Sequence, residues 1–250
     1  MRKDSIANTM LVAAGVCVVC SLVVSTAAVT LRPIQQRNAE LEERRNILVA
    51  AGLAAPGERI DVEALFQQVE TRKVDLRTGE FVDAGRSAEA DEGTVLSGSE
   101  DIAGIRRRDD VKDVYLLERD GELQRLILPV RGMGLWAMMH GLIALGSDLN
   151  TIESLLFYEH GETPGLGGEV DNPRWRAQWA GKQAFDSQGN VRIEVIKGQV
   201  TPQTPDAEYK VDGLSGATFT ARGVNNLVRF WLGEQGYGPL LDNMRKQVHP

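Results

Sequence analysis

From Ser5 to Leu31 the chain carries no charged residue, and Met10 to Leu31 matches the roughly 20 apolar residues needed to cross a bilayer. This pattern predicts a membrane anchor. Arg2-Lys3 ahead of the run and the small residues Thr26-Ala27-Ala28 also suit a cleavable signal peptide, but its apolar region is typically only about 7–15 residues long, which favours a retained anchor. Neither Cys17 nor Cys20 follows Gly or Ala, which argues against a lipoprotein signal. From Gln35 to Leu53 the apolar positions Leu41, Ile47, Leu48 and Leu53 recur among charges, predicting a helical stalk that ends at Ala54-Ala55-Pro56-Gly57. Asp61 then caps a predicted second helix through Val69, and Asp83 to Asp101, rich in Gly, Ser, Ala and acids, reads as a long surface loop.

From Val111 the pattern changes to strands. Val114–Glu118 and Leu123–Val130 flank Asp120-Gly121, a strong hairpin signal. Further strands are predicted over His140–Leu145, Thr151–Tyr158 and Val191–Ile196, with a short helix over Pro173–Gly181. Thr218 to Leu232 places Val224, Leu227, Val228 and Trp231 on one side of an amphipathic helix. The expected fold is α+β: an N-terminal transmembrane helix, then a soluble domain with a mostly antiparallel sheet and flanking helices. The expected division is a short N-terminus and anchor over residues 1–33, a helical stalk and peripheral helix/loop region over 34–110, and a core over 111–250.

The net charge of −7 over 250 residues argues against a nucleic-acid binder, and the triplet Arg106-Arg107-Arg108, followed at once by Asp109-Asp110, reads as a solvated loop. Basic residues flank the anchor on both sides, so charge bias leaves its orientation open. Cys17 and Cys20, the only two cysteines, share one face of the anchor and read as small packing residues. The soluble part therefore holds neither an internal disulfide nor a thiolate-bound iron–sulfur cluster. No Gly-x-Gly-x-x-Gly with a suitable following acid marks a dinucleotide fold.

Candidate chemistry concentrates in Asp212-Gly213-Leu214-Ser215-Gly216-Ala217-Thr218, a Gly-rich turn at a helix start. Free backbone N–H groups and the positive end of the helix dipole suit a phosphate there, although Ser215 and Thr218 are equally good helix caps. Glu159-His160-Gly161-Glu162-Thr163-Pro164-Gly165-Leu166-Gly167-Gly168 follows a strand and lets backbone approach a flat ring, or else forms an ordinary turn. Trp136 reads equally as a core residue or a ring-stacking one, and Lys197 as a surface lysine or a ligand contact. With three histidines and no ligand spacing, a metal site at His160 is not expected.

Asp-x-x-Ser-Gly-Ala-Thr resembles the acceptor motif of covalently flavinylated proteins. Asn46-Ile47-Leu48 with Ala51-Gly52-Leu53, Gly132-Met133-Gly134-Leu135-Trp136, Glu162-Thr163-Pro164-Gly165-Leu166-Gly167 and Ser215-Gly216-Ala217-Thr218 stand in the order of one family. The chain resembles the C subunits of the bacterial sodium-translocating NADH:quinone oxidoreductases, which have an FMN-binding domain. The resemblance implies FMN joined to Thr218 by a phosphoester, attached by a magnesium-dependent flavin transferase that uses FAD and releases AMP. Asp212 would then orient or deprotonate the hydroxyl, or help hold the metal. Glu162, Thr163, Leu166 and Gly167 would lie against the isoalloxazine, and Trp136 would shield or stack on it. Apart from the resemblance, Lys197 follows a strand, which makes it either a surface lysine or a candidate to stand near the flavin N1 or O2. The resemblance further implies a one-electron relay within a multisubunit complex of the inner membrane, with its bulk on the periplasmic side. NADH oxidation, quinone reduction and ion movement would belong mainly to other subunits, so no catalytic residue is expected here. The G subunit of the related Rnf complex shares the anchor and acceptor motif. A reading of a different class is a membrane-tethered adaptor or sensor without flavin.

Overall fold

The computed structural model describes residues 6–82 and 93–248, and the chain divides into two units, residues 1–45 and 46–250. The predicted anchor and stalk form one helix, α1 (Ile6–Ala50), which Pro33 interrupts by one missing donor without ending it. Its apolar stretch has the length and composition to cross a membrane, and none of it is buried within the protein. Thr26 and Thr30 return their hydroxyl hydrogen bonds to the carbonyls of Leu22 and Thr26, at 2.7 and 2.9 Å, which satisfies these two hydroxyls within the helix.

Within the second unit, α1 ends at Ala50, three residues before the predicted end at Leu53, and Gly52 follows it at positive φ. The Leu53 and Gly52 amides donate back to the Leu48 and Val49 carbonyls, a Schellman turn. The carbonyls of Ala50 and Ala51, which lack intrahelical partners, accept from Ser154 Oγ at 2.9 Å and from Arg125 Nη1. Ile47, Leu48, Ala50 and Ala51 are buried there.

Asp61 does cap α2, accepting from the Ala64 amide at 3.1 Å, but α2 spans only Val62–Phe66. The predicted continuation to Val69 is overturned: Val69 opens β1 (Val69–Asp75), followed by β2 (Glu80–Val82). Two valines and a threonine fit a pleated strand, and pairing with a strand about 40 residues onward outweighs the weak local helical signal. Of the predicted loop, residues 83–92 lie outside the described residues. β3 (Thr94–Val95) pairs with β4 (Arg107–Arg108), so part of the arginine triplet is strand. Arg108 is 5% exposed and donates to the Gln235 carbonyl at 2.5 Å, which corrects the solvated-loop reading at that residue.

β5 (Val111–Arg119) and β6 (Glu122–Met133) join through Asp120 and Gly121, both at positive φ, as the hairpin signal predicts. β7 (Met138–Gly146) and β8 (Thr151–Glu159) follow by antiparallel pairing. α3 (Pro173–Ala177) and β9 (Lys182–Gln183) come next, and β9 completes an antiparallel seven-stranded sheet in the order β2-β1-β5-β6-β7-β8-β9. The strand predicted over Val191–Ile196 reduces to β10 (Glu194–Val195), which pairs in parallel with β11 (Lys210–Val211) outside the main sheet. Asn225 takes up both backbone groups of Val195, at 2.6 and 2.9 Å, in place of a further strand partner.

α4 (Thr218–Leu232) begins and ends where the periodicity predicts. Val224, Leu227, Val228 and Trp231 are buried, and the Trp231 indole donates to the Arg131 carbonyl of β6 at 2.6 Å. α5 (Gly238–Val248) closes the described chain. The packing of α4 on the sheet brings its first turn beside the β6–β7 connection.

Candidate functional site

Three loops meet around the start of α4. The β6–β7 connection supplies Gly134–Ala137, the segment after β8 supplies Gly161–Gly168, and the turn after β11 supplies Asp212–Ala217. Their contacts are direct: the Leu135 and Trp136 amides donate to Glu162 Oε1 at 2.9 and 3.0 Å, and the Thr220 hydroxyl donates to Glu162 Oε2. A Cβ at Gly216, where φ is +71°, would lie 2.9 Å from Leu166 Cδ2, which places that leucine over the acceptor turn.

Thr218 is the first residue of α4 and is exposed. The cap position is Ala217, with no side-chain cap, so neither Ser215 nor Thr218 serves as the predicted helix cap. Among the described residues the Thr218 hydroxyl has no hydrogen-bond partner. It is a free hydroxyl at the positive end of a 15-residue helix.

Thr218 shares a cavity of about 220 Å³ with Lys197, Arg222 and Asn225, floored by Leu214 and Ala221. That is below the roughly 300–1,000 Å³ of pockets that enclose a drug-sized ligand, so it suits an anionic, hydroxylated end of a ligand and not a whole flavin. The flat surfaces lie outside it: Trp136 is 66% exposed and Phe219 61%, with Leu166 and Leu135 also exposed. Trp136 is therefore no core residue. Lys197 lines the same cavity as Thr218. A larger open hollow of about 580 Å³, lined among others by Phe185, Asp242 and Arg245, shares no lining residue with the acceptor turn and holds none of the motif residues.

Asp212 is engaged in scaffold contacts. Its Oδ1 accepts from the Val200 amide at 2.7 Å and its Oδ2 from Gln178 Nε2 at 3.0 Å, while its own amide donates to Gln178 Oε1 at 3.0 Å. The Trp175 indole donates to the Asp212 carbonyl at 2.8 Å. The residue thus ties the acceptor turn to α3 and to the loop after β10. Thr163 and Leu166 are exposed on the facing loop, whereas Glu162 and Gly167 are buried beneath it. His160 pairs with Asp171 at 2.7 Å and accepts the Glu162 amide at Nδ1, so both its nitrogens are used in shaping this loop.

Several residues here were not singled out from sequence. Arg222 stands four positions after Thr218 on a helix that was predicted, so i, i+4 spacing carried the signal. Asn225 and Gln178 reach the site through packing that no local pattern announces.

Residues 134–233 match the FMN-binding domain family. The chain is 49% identical over 98% of its length to the C subunit of the Na⁺-translocating NADH-quinone reductase of Pseudomonas aeruginosa, of which 98% is covered. The same subunit of Yersinia pestis is 44% identical, with 98% of this chain and 95% of that one covered. Among solved structures, NqrC of Shewanella oneidensis aligns with a TM-score of 0.72 at 34% identity, covering 82% of this chain and 97% of that one. The C subunit of the Parabacteroides distasonis reductase aligns at 0.64 and 28% identity, covering 84% and 96%. With matched motifs, matched fold and near-complete coverage, the chain belongs to the family of C subunits of the Na⁺-translocating NADH-quinone reductases.

Proposed function

We propose that this protein is an electron-relay subunit whose FMN is tethered through a phosphoester to Thr218, and that it works among the other subunits of a sodium-translocating NADH-quinone reductase. The observation that carries the tether is the exposed Thr218 hydroxyl at the first position of α4, with no capping role and no hydrogen-bond partner among the described residues. The residues fit the cofactor. Lys197 and Arg222 bring positive charge to the wall of the same cavity, suited to a phosphate, and the α4 dipole adds to it. Trp136, Leu166 and Phe219 present exposed apolar faces for a flat ring, with Thr163 beside them. Ser215, Gly216 and Ala217 form the turn that keeps backbone, and not side chain, next to the tether.

FMN supplies the redox chemistry, taking up and releasing electrons. The protein's part is to hold it in place. A covalent link removes the dissociation equilibrium, so the carrier is retained even where free FMN is scarce. A flavin transferase must load the site, and an exposed hydroxyl at a helix start gives such an enzyme access. The apolar span of α1 anchors the chain to the inner membrane by one pass, with the sheet domain on the periplasmic side.

Intact-mass measurement of protein co-expressed with the transferase tests the tether. The expected result is a gain of one FMN less one water, mapped to the peptide containing Thr218 and absent from Thr218→Ala. Covalent FMN at full stoichiometry in Thr218→Ala would overturn it.

A further inference from the structure

Beneath the site lies a buried carboxylate without a cation. Glu162 is 5% exposed, and among the described residues it forms no ion pair. Burying such a charge is costly unless hydrogen bonds replace its water. Here its Oε1 accepts from the Leu135 and Trp136 amides at 2.9 and 3.0 Å, and its Oε2 from the hydroxyl of Thr220, which is 0% exposed. The surrounding backbone is shaped to admit it. A Cβ at Gly134 would stand 2.5 Å from Oε1, and one at Gly167 would stand 2.4 Å from Thr220 Oγ1 and 2.5 Å from Oε2.

Thr220 follows Thr218 by two positions, a rotation of about 200° around the helix, so one hydroxyl faces inward while the other faces out. The carboxylate therefore grips the first turn of α4 from the inside and the Leu135–Trp136 turn from below. We propose that Glu162 is a positioning residue for the flavin: it fixes the spacing between the Trp136 face and the Thr218 hydroxyl and places an uncompensated negative charge under the ring side of the site. This rests on the proposed function above, and it differs from ring contact, because a buried Glu162 acts through Trp136 and α4. Its charge opposes the arrival of an electron on a flavin held above it, so it lowers the midpoint potential.

The test uses the full chain in detergent, before and after flavin attachment. Before attachment, hydrogen exchange at the Leu135 and Trp136 amides is expected to rise at least about tenfold in Glu162→Gln, whose neutral amide oxygen accepts the two bonds now made to Oε1 more weakly than the charged carboxylate does. Thr220→Val should raise exchange in the same direction, and Thr220→Ser, which keeps the hydroxyl, should match the wild type. After attachment, Glu162→Gln should retain full covalent flavin with an upward-shifted midpoint potential, and Thr220→Ser should retain the wild-type potential. Unchanged amide exchange in both Glu162→Gln and Thr220→Val overturns the proposal, as does an unmoved potential in Glu162→Gln. If Glu162→Gln does not fold, Thr220→Val carries the exchange comparison. The exchange arm needs no flavin, so a wild type without covalent FMN sinks the tether while leaving this arm decisive. Covalent FMN with unchanged exchange sinks only the role of Glu162.

Discussion

Asp212 offers a clean separation of scaffold from chemistry. Its carboxylate accepts from the Val200 amide at 2.7 Å and from Gln178 Nε2 at 3.0 Å, and Gln178 Oε1 in turn accepts the Asp212 amide at 3.0 Å. In Asp212→Asn the side-chain oxygen can keep the Val200 bond, but its new NH2 then faces the Gln178 NH2. Flipping Gln178 to relieve this would break its bond to the residue 212 amide. The substitution thus loses one charge-assisted hydrogen bond in a half-buried setting, about 1–2 kcal/mol. For a domain of this size that lowers Tm by roughly 2–8 °C, which tryptophan fluorescence during thermal unfolding resolves. Because Thr218 and its helix remain, co-expression with the transferase should still load the variant, more slowly but to near completion by intact mass. An Asp212→Asn protein that melts with the wild type yet accepts no flavin would refute the reasoning and return Asp212 to proton transfer or metal binding.

Leu227, fully buried on α4 against Gly132 of β6, should cost about 2–5 kcal/mol when replaced by Ala, read as a fall in the urea midpoint. The pH profile should carry a signature of His140, whose pKa is lowered chiefly by burial, with Arg131 and Lys112 lowering it further against the opposing Glu159. The folded state therefore prefers the neutral ring. That contribution is complete above the unfolded value of about 6.5 and is lost as pH falls through the lowered folded value, so His140→Gln should flatten the decline in unfolding free energy on acidification. A variant profile parallel to the wild type would contradict this assignment.

How legible the molecule was depended on the range of the interactions. The Asp120-Gly121 hairpin, β7, β8 and the bounds of α4 were readable because their signals lie in consecutive residues: turn chemistry, short apolar runs and a 3.6-residue apolar face. β1 was misread because Val69–Asp75 becomes a strand only by pairing with β5, about 40 residues onward. Arg108 was misread because its burial depends on a carbonyl at Gln235. At the site, the order of the motifs located the acceptor turn and the facing loop, while the division of labour within them escaped any linear reading.

By itself, the sequence determined an apolar span of membrane length, an α+β domain, the family and the threonine that opens α4, since each rests on contiguous residues or on motifs in order. Only the tertiary structure decided that Thr218 faces outward without a partner while Thr220 turns inward to Glu162. It likewise decided that Trp136 is exposed, that Asp212 is engaged by Gln178 and Val200, and that Lys197 stands beside the tether. The physical reason is that burial and hydrogen-bond satisfaction are properties of neighbours in space, and the neighbours of this site come from segments up to about 90 residues apart in the chain.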